Sequence, residues 1–302
     1  MTVVERPHPV RLLPPRGAGR LAGRVGGPLG LTLLIALALL CFGAPWFAHV
    51  IGYDVLEVDL LDRMAAPSWA HPFGTDELGR DIALRLAYGG QVSLAVGLAA
   101  ALAASAIGTA VGLVAGYYGG RVDTVLMRLT DWVIALPVLP LLIVLAALDL
   151  RKLGVSDAFA QSDAISLYRI VAIIALTGWT LTARLVRGAT LSVRSRDFIA
   201  ASRIAGAGPL RLMLVHILPN VASPLLVATT LSVGGVILTE SVLSFLGLGI
   251  QPPTPSWGNM LSNAQELITT TPSLAVYPGA CIFITVVACN LLGDWLQQRL
   301  RD

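Results

Sequence analysis

Charge is scarce in this chain. Only 13% of its 302 residues are Asp, Glu, Lys or Arg, against about 25% in soluble globular proteins. Length alone would allow two soluble domains of about 150 residues each, but 55% hydrophobic residues and a mean hydropathy of +0.76 exclude them. Intrinsic disorder is excluded too, because a disordered chain needs low hydrophobicity and high net charge. Lysine occurs once, at Lys152, so no Gly-Lys-Ser/Thr loop exists to cradle a nucleotide phosphate. The three cysteines, Cys41, Cys281 and Cys289, fall in apolar runs without metal-type spacing and read as packing residues. His8, His49, His71 and His216 likewise lack ligand spacing or a catalytic neighbour. No catalytic site, bound cofactor or metal is therefore expected. The net charge of +3 is not gathered on a soluble face, so no nucleic-acid partner is expected either.

What the chain has instead is long apolar runs, and they describe an all-α, polytopic membrane protein. Residues 1–28 carry Arg6, Arg11, Arg16, Arg20 and Arg24 against a single Glu5 and read as a disordered tail. Residues 29–51 are uncharged and long enough to cross about 30 Å of hydrocarbon. That length also excludes a cleaved signal peptide, whose apolar region runs only about 7–15 residues. Five more spans are expected near 91–117, 126–148, 167–187, 219–246 and 275–297. Six spans put both termini on one side. With the amino terminus inside, the cytosolic stretches hold 15 Arg and 6 acids, and the outer stretches hold 6 basic residues and 11 acids. Positive charge thus selects cytosolic termini. The chain then divides into an outer loop at 52–90, a five-helix core at 91–298 that contains a cytosolic loop at 188–219, and a short tail at 299–302.

Within the spans, Ala104, Gly108, Gly112 and Gly116 leave one helix face nearly bare, which lets another helix approach closely. Pro137 and Pro140 remove backbone donors from the third span and should kink it. Arg128 and Asp131 are spaced to pair on one helix face. Glu240 is the one acid well inside an apolar run, and it reads either as a brace between helices or as part of a transport path.

Three polar stretches are informative. In the 188–219 loop, Asp197 can cap a helix over 198–205 that Gly206 ends in the left-handed region; Gly208 and Pro209 then start a second helix that stops at Pro219. This helix-turn-helix, bearing Arg203 and Arg211, is either a rigid handle for another protein or a solvated loop whose arginines set topology. In the outer loop, "GTDELGRD" can start an amphipathic helix at Thr75 with Asp76 and Glu77 in its first turn. Such a helix suits the membrane interface or the docking of another protein. After the fifth span, Pro252, Pro253 and Pro255 stiffen a loop in which Trp257 reads as an interfacial anchor.

The stretch "RDFIAASRIAGAGPLRLMLVHILPN" resembles the EAA loop of ABC-importer permeases, with Ala200, Ala201 and Ser202 on the Glu-Ala-Ala positions, then Gly206, then Ile217, Leu218 and Pro219. The acidic first position of that pattern is Ala200 here. With "HPFGTDELGRD" at 71–81, "GYYGGRVDTVLMRLTD" at 116–131 and "ILTESVLSFLGLGIQPPTPSWGNML" at 237–261, residues 70–298 resemble the C-type permease subunit of dipeptide/oligopeptide importers. The resemblance implies a type I importer permease fold in a bacterial cytoplasmic membrane. It implies a B-type permease partner, two cytosolic ATPase subunits or domains that use ATP and Mg, and an external substrate-binding protein. It further implies that the 197–219 loop, with Ala200, Ala201, Ser202, Arg203, Gly206, Arg211 and Pro219, couples to the ATPase. Pro252, Pro253, Pro255 and Trp257 are expected at the outer gate or the binding-protein contact. Relatives of the same class serve nickel, glutathione or haem; a stand-alone secondary transporter, from another class, would show internal repeats or several intramembrane charges.

Overall fold

The computed structural model describes residues 18–52, 54–148, 163–267 and 269–300, and the regular elements among them are helices. Residues 1–17 of the amino-terminal tail, the stretch around Lys152 and residues 301–302 lie outside the described residues. Residues 18–28, expected to be disordered, are helical and extend the first helix, α1 (Ala18–Phe42).

The first apolar run is not one helix to residue 51. It breaks at Gly43 and continues as α2 (Ala44–Ile51). Pro45 has no N–H to give the carbonyl four residues back, at Cys41, and that carbonyl accepts the Gln91 side-chain amide at 2.7 Å instead. A side chain from another helix thus satisfies a backbone group that would otherwise be orphaned in hydrocarbon.

The next helix, α3 (Ile82–Tyr118), starts nine residues before the expected position because Asp81 caps it, accepting the Leu84 N–H at 2.7 Å. Its 37 residues run about 55 Å, well beyond the hydrocarbon thickness. Gly119 and Gly120, at φ 67° and 53°, turn the chain into α4 (Gly120–Ala135). The expected third span is broken: α4 and α5 (Val138–Ala146) meet at 86° across Leu136 and Pro137. Proline accounts for the break, because Pro137 holds Leu136 extended at ψ 137° and supplies no donor to α4.

After the undescribed stretch come α6 (Asp163–Arg194), a short α7 (Asp197–Ile204) and α8, which runs from Pro209 to Phe245. A short α9 (Trp257–Glu266) and the last helix, α10 (Ser273–Arg299), complete the chain. Five of the described helices are long and apolar enough to cross a membrane, and the bent α4–α5 pair makes six if it is one span.

The closest packing joins α3 and α6, which run side by side in the same direction. A Cβ on Gly108 would lie 2.5 Å from the Trp179 carbonyl oxygen, one on Gly112 2.6 Å from that of Ala183, and one on Gly116 2.6 Å from Thr190 Cβ. The bare stripe is therefore an intrachain contact, repeating every four residues on both helices. In hydrocarbon there is no hydrophobic force between helices, so this approach is held by dispersion and geometry. One end of the bundle carries the 52–81 loop and the segment from 246 to 272, and is called the Trp257 end. The other carries residues 194–217 and is called the Arg194 end.

Because its neighbour is backbone, Gly112→Ala is expected to destabilise the protein by about 1–3 kcal/mol. Gly235→Ala is the control, since a Cβ there meets nothing within 4 Å. Thermal midpoints in detergent should fall for the first and hold or rise slightly for the second; equal midpoints would contradict the packing.

Candidate functional sites at the two ends of the bundle

At the Arg194 end, α6 is fastened to its neighbours by three arginines. Arg187 donates through Nε and Nη2 to the two oxygens of Asp123 at 2.5 and 2.6 Å, Arg184 donates to Asp131 at 2.5 Å, and Arg194 donates to the Gly116 carbonyl at 3.3 Å. Asp131 therefore pairs with Arg184 across helices and not with Arg128 on its own helix. A bidentate Arg–carboxylate pair fixes orientation as well as distance.

Beyond Arg194 the chain makes the expected helix-turn-helix, with two differences. Arg196, not Asp197, occupies the N-cap of α7 and makes no side-chain cap, so Asp197 is the first helical residue. Gly206 ends the helix at φ 86°, and Gly208 and Pro209 start the next one. That next helix does not stop at Pro219. A π-helical stretch, Leu212–Ile217, carries it into Leu218–Phe245 without interruption. The wider turn accommodates Pro219, which cannot donate to a regular helical ladder.

One face of this unit is an anchor. Ile199, Leu212 and Ile217 are fully buried against Leu113, Val186 and Val193. The opposite face is open: Ala200, Ala201, Arg203, Gly206 and Arg211 are exposed, and Ser202 turns its hydroxyl back to the Phe198 carbonyl at 2.8 Å. At the tip stand two apolar side chains, Ile204 at 89% exposure and Leu210 at 69%. Pro219 lies along α8, apart from this tip.

At the Trp257 end, Glu240 is fully buried. Its carboxylate accepts the Ser244 hydroxyl at 2.7 Å and the Ser93 hydroxyl at 3.2 Å, and it reaches no surface of this chain. Those hydroxyls accept backbone donors in turn, Ile250 N–H at 3.0 Å on Ser244 and Trp257 N–H at 3.2 Å on Ser93. Trp257 is buried as well, at 0% exposure, with its indole N–H on the Leu86 carbonyl at 2.9 Å. It is a core residue and not an interfacial anchor, because Gly89 and Gly90 leave room on α3 for α9 to enter. Ser256 and Asn259 close a reciprocal capping box at the start of α9. Of the loop prolines, Pro252 and Pro253 are exposed and Pro255 is buried.

The 52–81 loop contains no helix at Thr75. Asp76 folds its carboxylate back onto the N–H groups of Leu78 and Arg80, at 2.9 and 3.0 Å, and Gly79 turns at φ 75°, so this stretch is a turn. A Cβ on Gly79 would strike the Asp59 carbonyl, which keeps the loop folded over itself. Asp76 also holds Arg80 at 2.8 Å, and His71 meets Asp81 at 2.9 Å.

This arrangement, a long-helix bundle with an anchored helix-turn-helix at one end, coincides with a family pattern. Residues 108–302 match the binding-protein-dependent transport system inner membrane component family. The chain belongs to that family. It is similar to the di/tripeptide transport system permease protein DppC of Pseudomonas aeruginosa (strain UCBPP-PA14), 39% identical over 284 residues that cover 92% of this chain and 87% of that protein. The oligopeptide transport system permease protein OppC of Bacillus subtilis (strain 168) is 36% identical over 272 residues, covering 90% of this chain and 84% of its own. The glutathione transport system permease protein GsiD of Escherichia coli O157:H7 is 40% identical over the same span and coverage. As a member of this family the chain is a multi-pass membrane permease component.

Sequence reasoning missed Ser93, Ser244, Ser256, Asn259 and the apolar tip. The Ser256-x-x-Asn259 spacing is a legible capping signal, and Ser244 lies one turn after Glu240. Ser93 is 147 residues from Glu240 and gives no local signal. Trp257→Ala should cost about 3–5 kcal/mol, and Trp257→Phe should cost less, about 0.5–1.5 kcal/mol for the indole hydrogen bond, because the Leu86 carbonyl lies inside α3 and keeps its helical partner. Thermal midpoints in detergent check this; a near-neutral Ala variant would restore the interfacial reading.

Proposed function

We propose that this permease is one of the two membrane subunits of an ATP-driven importer of short peptides. A B-type permease completes its translocation pathway. The observation that carries the reading is the tip at 197–211, presented beyond the spans on a buried anchor of Ile199, Leu212 and Ile217. Exposed Ile204 and Leu210 flanked by Arg203 and Arg211 make a docking knob with an apolar centre and a charged rim.

The surplus of arginine at that end supports a cytosolic position for it, and in this reading the knob meets the ATPase subunits there. ATP and Mg are handled by those partners, and this chain contributes motion and a path. The Trp257 end then faces outward and receives substrate from an external binding protein. The cargo class follows the relatives, which are named for di/tripeptide, oligopeptide and glutathione transport. Glutathione is itself a tripeptide, so the three names share one ligand chemistry.

Tagged chain purified gently from its own membrane should bring down a second permease and ATP-hydrolysing subunits, with ATPase activity raised by peptide-loaded binding protein. Ile204→Asp or Leu210→Asp should reduce ATPase recovery at least tenfold, an apolar contact worth about 1.4 kcal/mol or more, while the fold survives because both side chains are exposed. A chain that moves substrate alone and without ATP would contradict the proposal.

A further inference from the structure

The segment that follows α8 is tied down at both ends by one carboxylate. Its first tie is Ile250 N–H to Ser244 Oγ to Glu240 Oε1, at 3.0 and 2.7 Å; its second is Trp257 N–H to Ser93 Oγ to Glu240 Oε2, each at 3.2 Å. Both relays run from a backbone N–H through a serine hydroxyl to a Glu240 oxygen. A backbone N–H can only donate, so each hydroxyl accepts there, and its single hydrogen goes to the carboxylate. Three elements meet on this one group: Ser93 from α3, Glu240 and Ser244 from α8, and Trp257 from the start of α9.

The surrounding glycines are shaped for it. A Cβ on Gly249 would lie 2.1 Å from the Ser244 hydroxyl, and one on Gly258 2.7 Å from Ser241 Cα. Further ties run alongside: Asn259 Nδ2 donates to the Thr254 carbonyl at 2.8 Å, and the Ser262 hydroxyl donates to the Phe245 carbonyl at 2.9 Å. A buried carboxylate is costly unless its lone pairs are engaged, and here both oxygens serve the same loop.

We propose that Glu240 is a positioning residue that fastens the 246–257 segment to α3 and α8, so that this segment moves with the permease core during transport. The first half of this stands on the hydrogen bonds alone; the second rests on the importer reading above. Glu240 touches no substrate in this role. Gln at position 240 can accept from one serine but must donate to the other, which leaves one hydroxyl hydrogen unpaired and loosens one tie.

The test is amide hydrogen exchange on the complete purified assembly, with its basal and substrate-stimulated ATPase measured alongside. Glu240→Gln is expected to speed exchange at Ile250 or Trp257 about tenfold, the loss of one hydrogen bond. It should also lower the ratio of stimulated to basal ATPase. Ser93→Ala, a small truncation, should speed Trp257 alone, and Ser244→Ala should speed Ile250 alone. Unchanged exchange in all three variants would overturn the fastening. Faster exchange with an unchanged ATPase ratio would overturn its part in transport. If the assembly contains no ATPase at all, the importer reading fails while the exchange data still judge the fastening.

Discussion

The contact on which the rest of the molecule depends is the approach of α3 to α6 along Gly108, Gly112 and Gly116. Where a Cβ would meet backbone or side-chain atoms at 2.5–2.6 Å, only glycine allows the two helices to lie in register, and that register fixes what each helix can hold at its ends. At the Arg194 end, α6 then reaches Asp123, Asp131 and Gly116 with three arginines and leads directly into the anchored helix-turn-helix. At the Trp257 end, α3 presents Gly89, Gly90 and Ser93 to the incoming α9. A helix of 37 residues without a break carries Gly116 at one end and Gly89, Gly90 and Ser93 at the other, and Asp123 and Asp131 follow it on α4.

The second long helix makes the same connection. From Pro209 to Phe245 the chain is continuous, so exposed Leu210 and buried Glu240 belong to one helix, with the π-helical turn at 212–217 absorbing Pro219. Under the importer reading, motion imposed on Leu210 has one helical path toward Glu240, along α8 where it packs on α3 and α10; Pro224 lies inside that path and removes one rung of its hydrogen-bond ladder. The break at Pro137 belongs to α4 and α5, outside this pair of rods.

Much of this was legible in the amino-acid order, and the reasons for the failures are physical. Gly206, Gly208 and Pro209 marked a turn correctly because backbone freedom and a missing N–H are local properties. Pro137 marked a break for the same reason. The starts of spans were misplaced because apolar runs measure where hydrocarbon begins, whereas helices begin where a cap is available, as at Asp81. Partners were misassigned where space brings together what sequence keeps apart: Asp131 takes Arg184, 53 residues away, over its neighbour Arg128. Trp257 looked like an interfacial ring because nothing near it in sequence reports the pocket made by Gly89 and Gly90. Glu240 could be singled out as an intramembrane acid, but its contact with the Ser93 hydroxyl joins residues 147 apart and left no local signal.

The central claim is mechanical: the helix-turn-helix tip and the fastened segment at the opposite end are parts of one rigid body. Spin labels at exposed Ser195, at the start of the helix-turn-helix and outside its apolar knob, and at exposed Gln251, placed in the complete assembly, report the distance between those ends by pulsed electron paramagnetic resonance. A rigid lever predicts the same distance without nucleotide and with ATP bound, while the distance from either label to the second permease changes. A shift of several ångströms between Ser195 and Gln251 within the chain would contradict it.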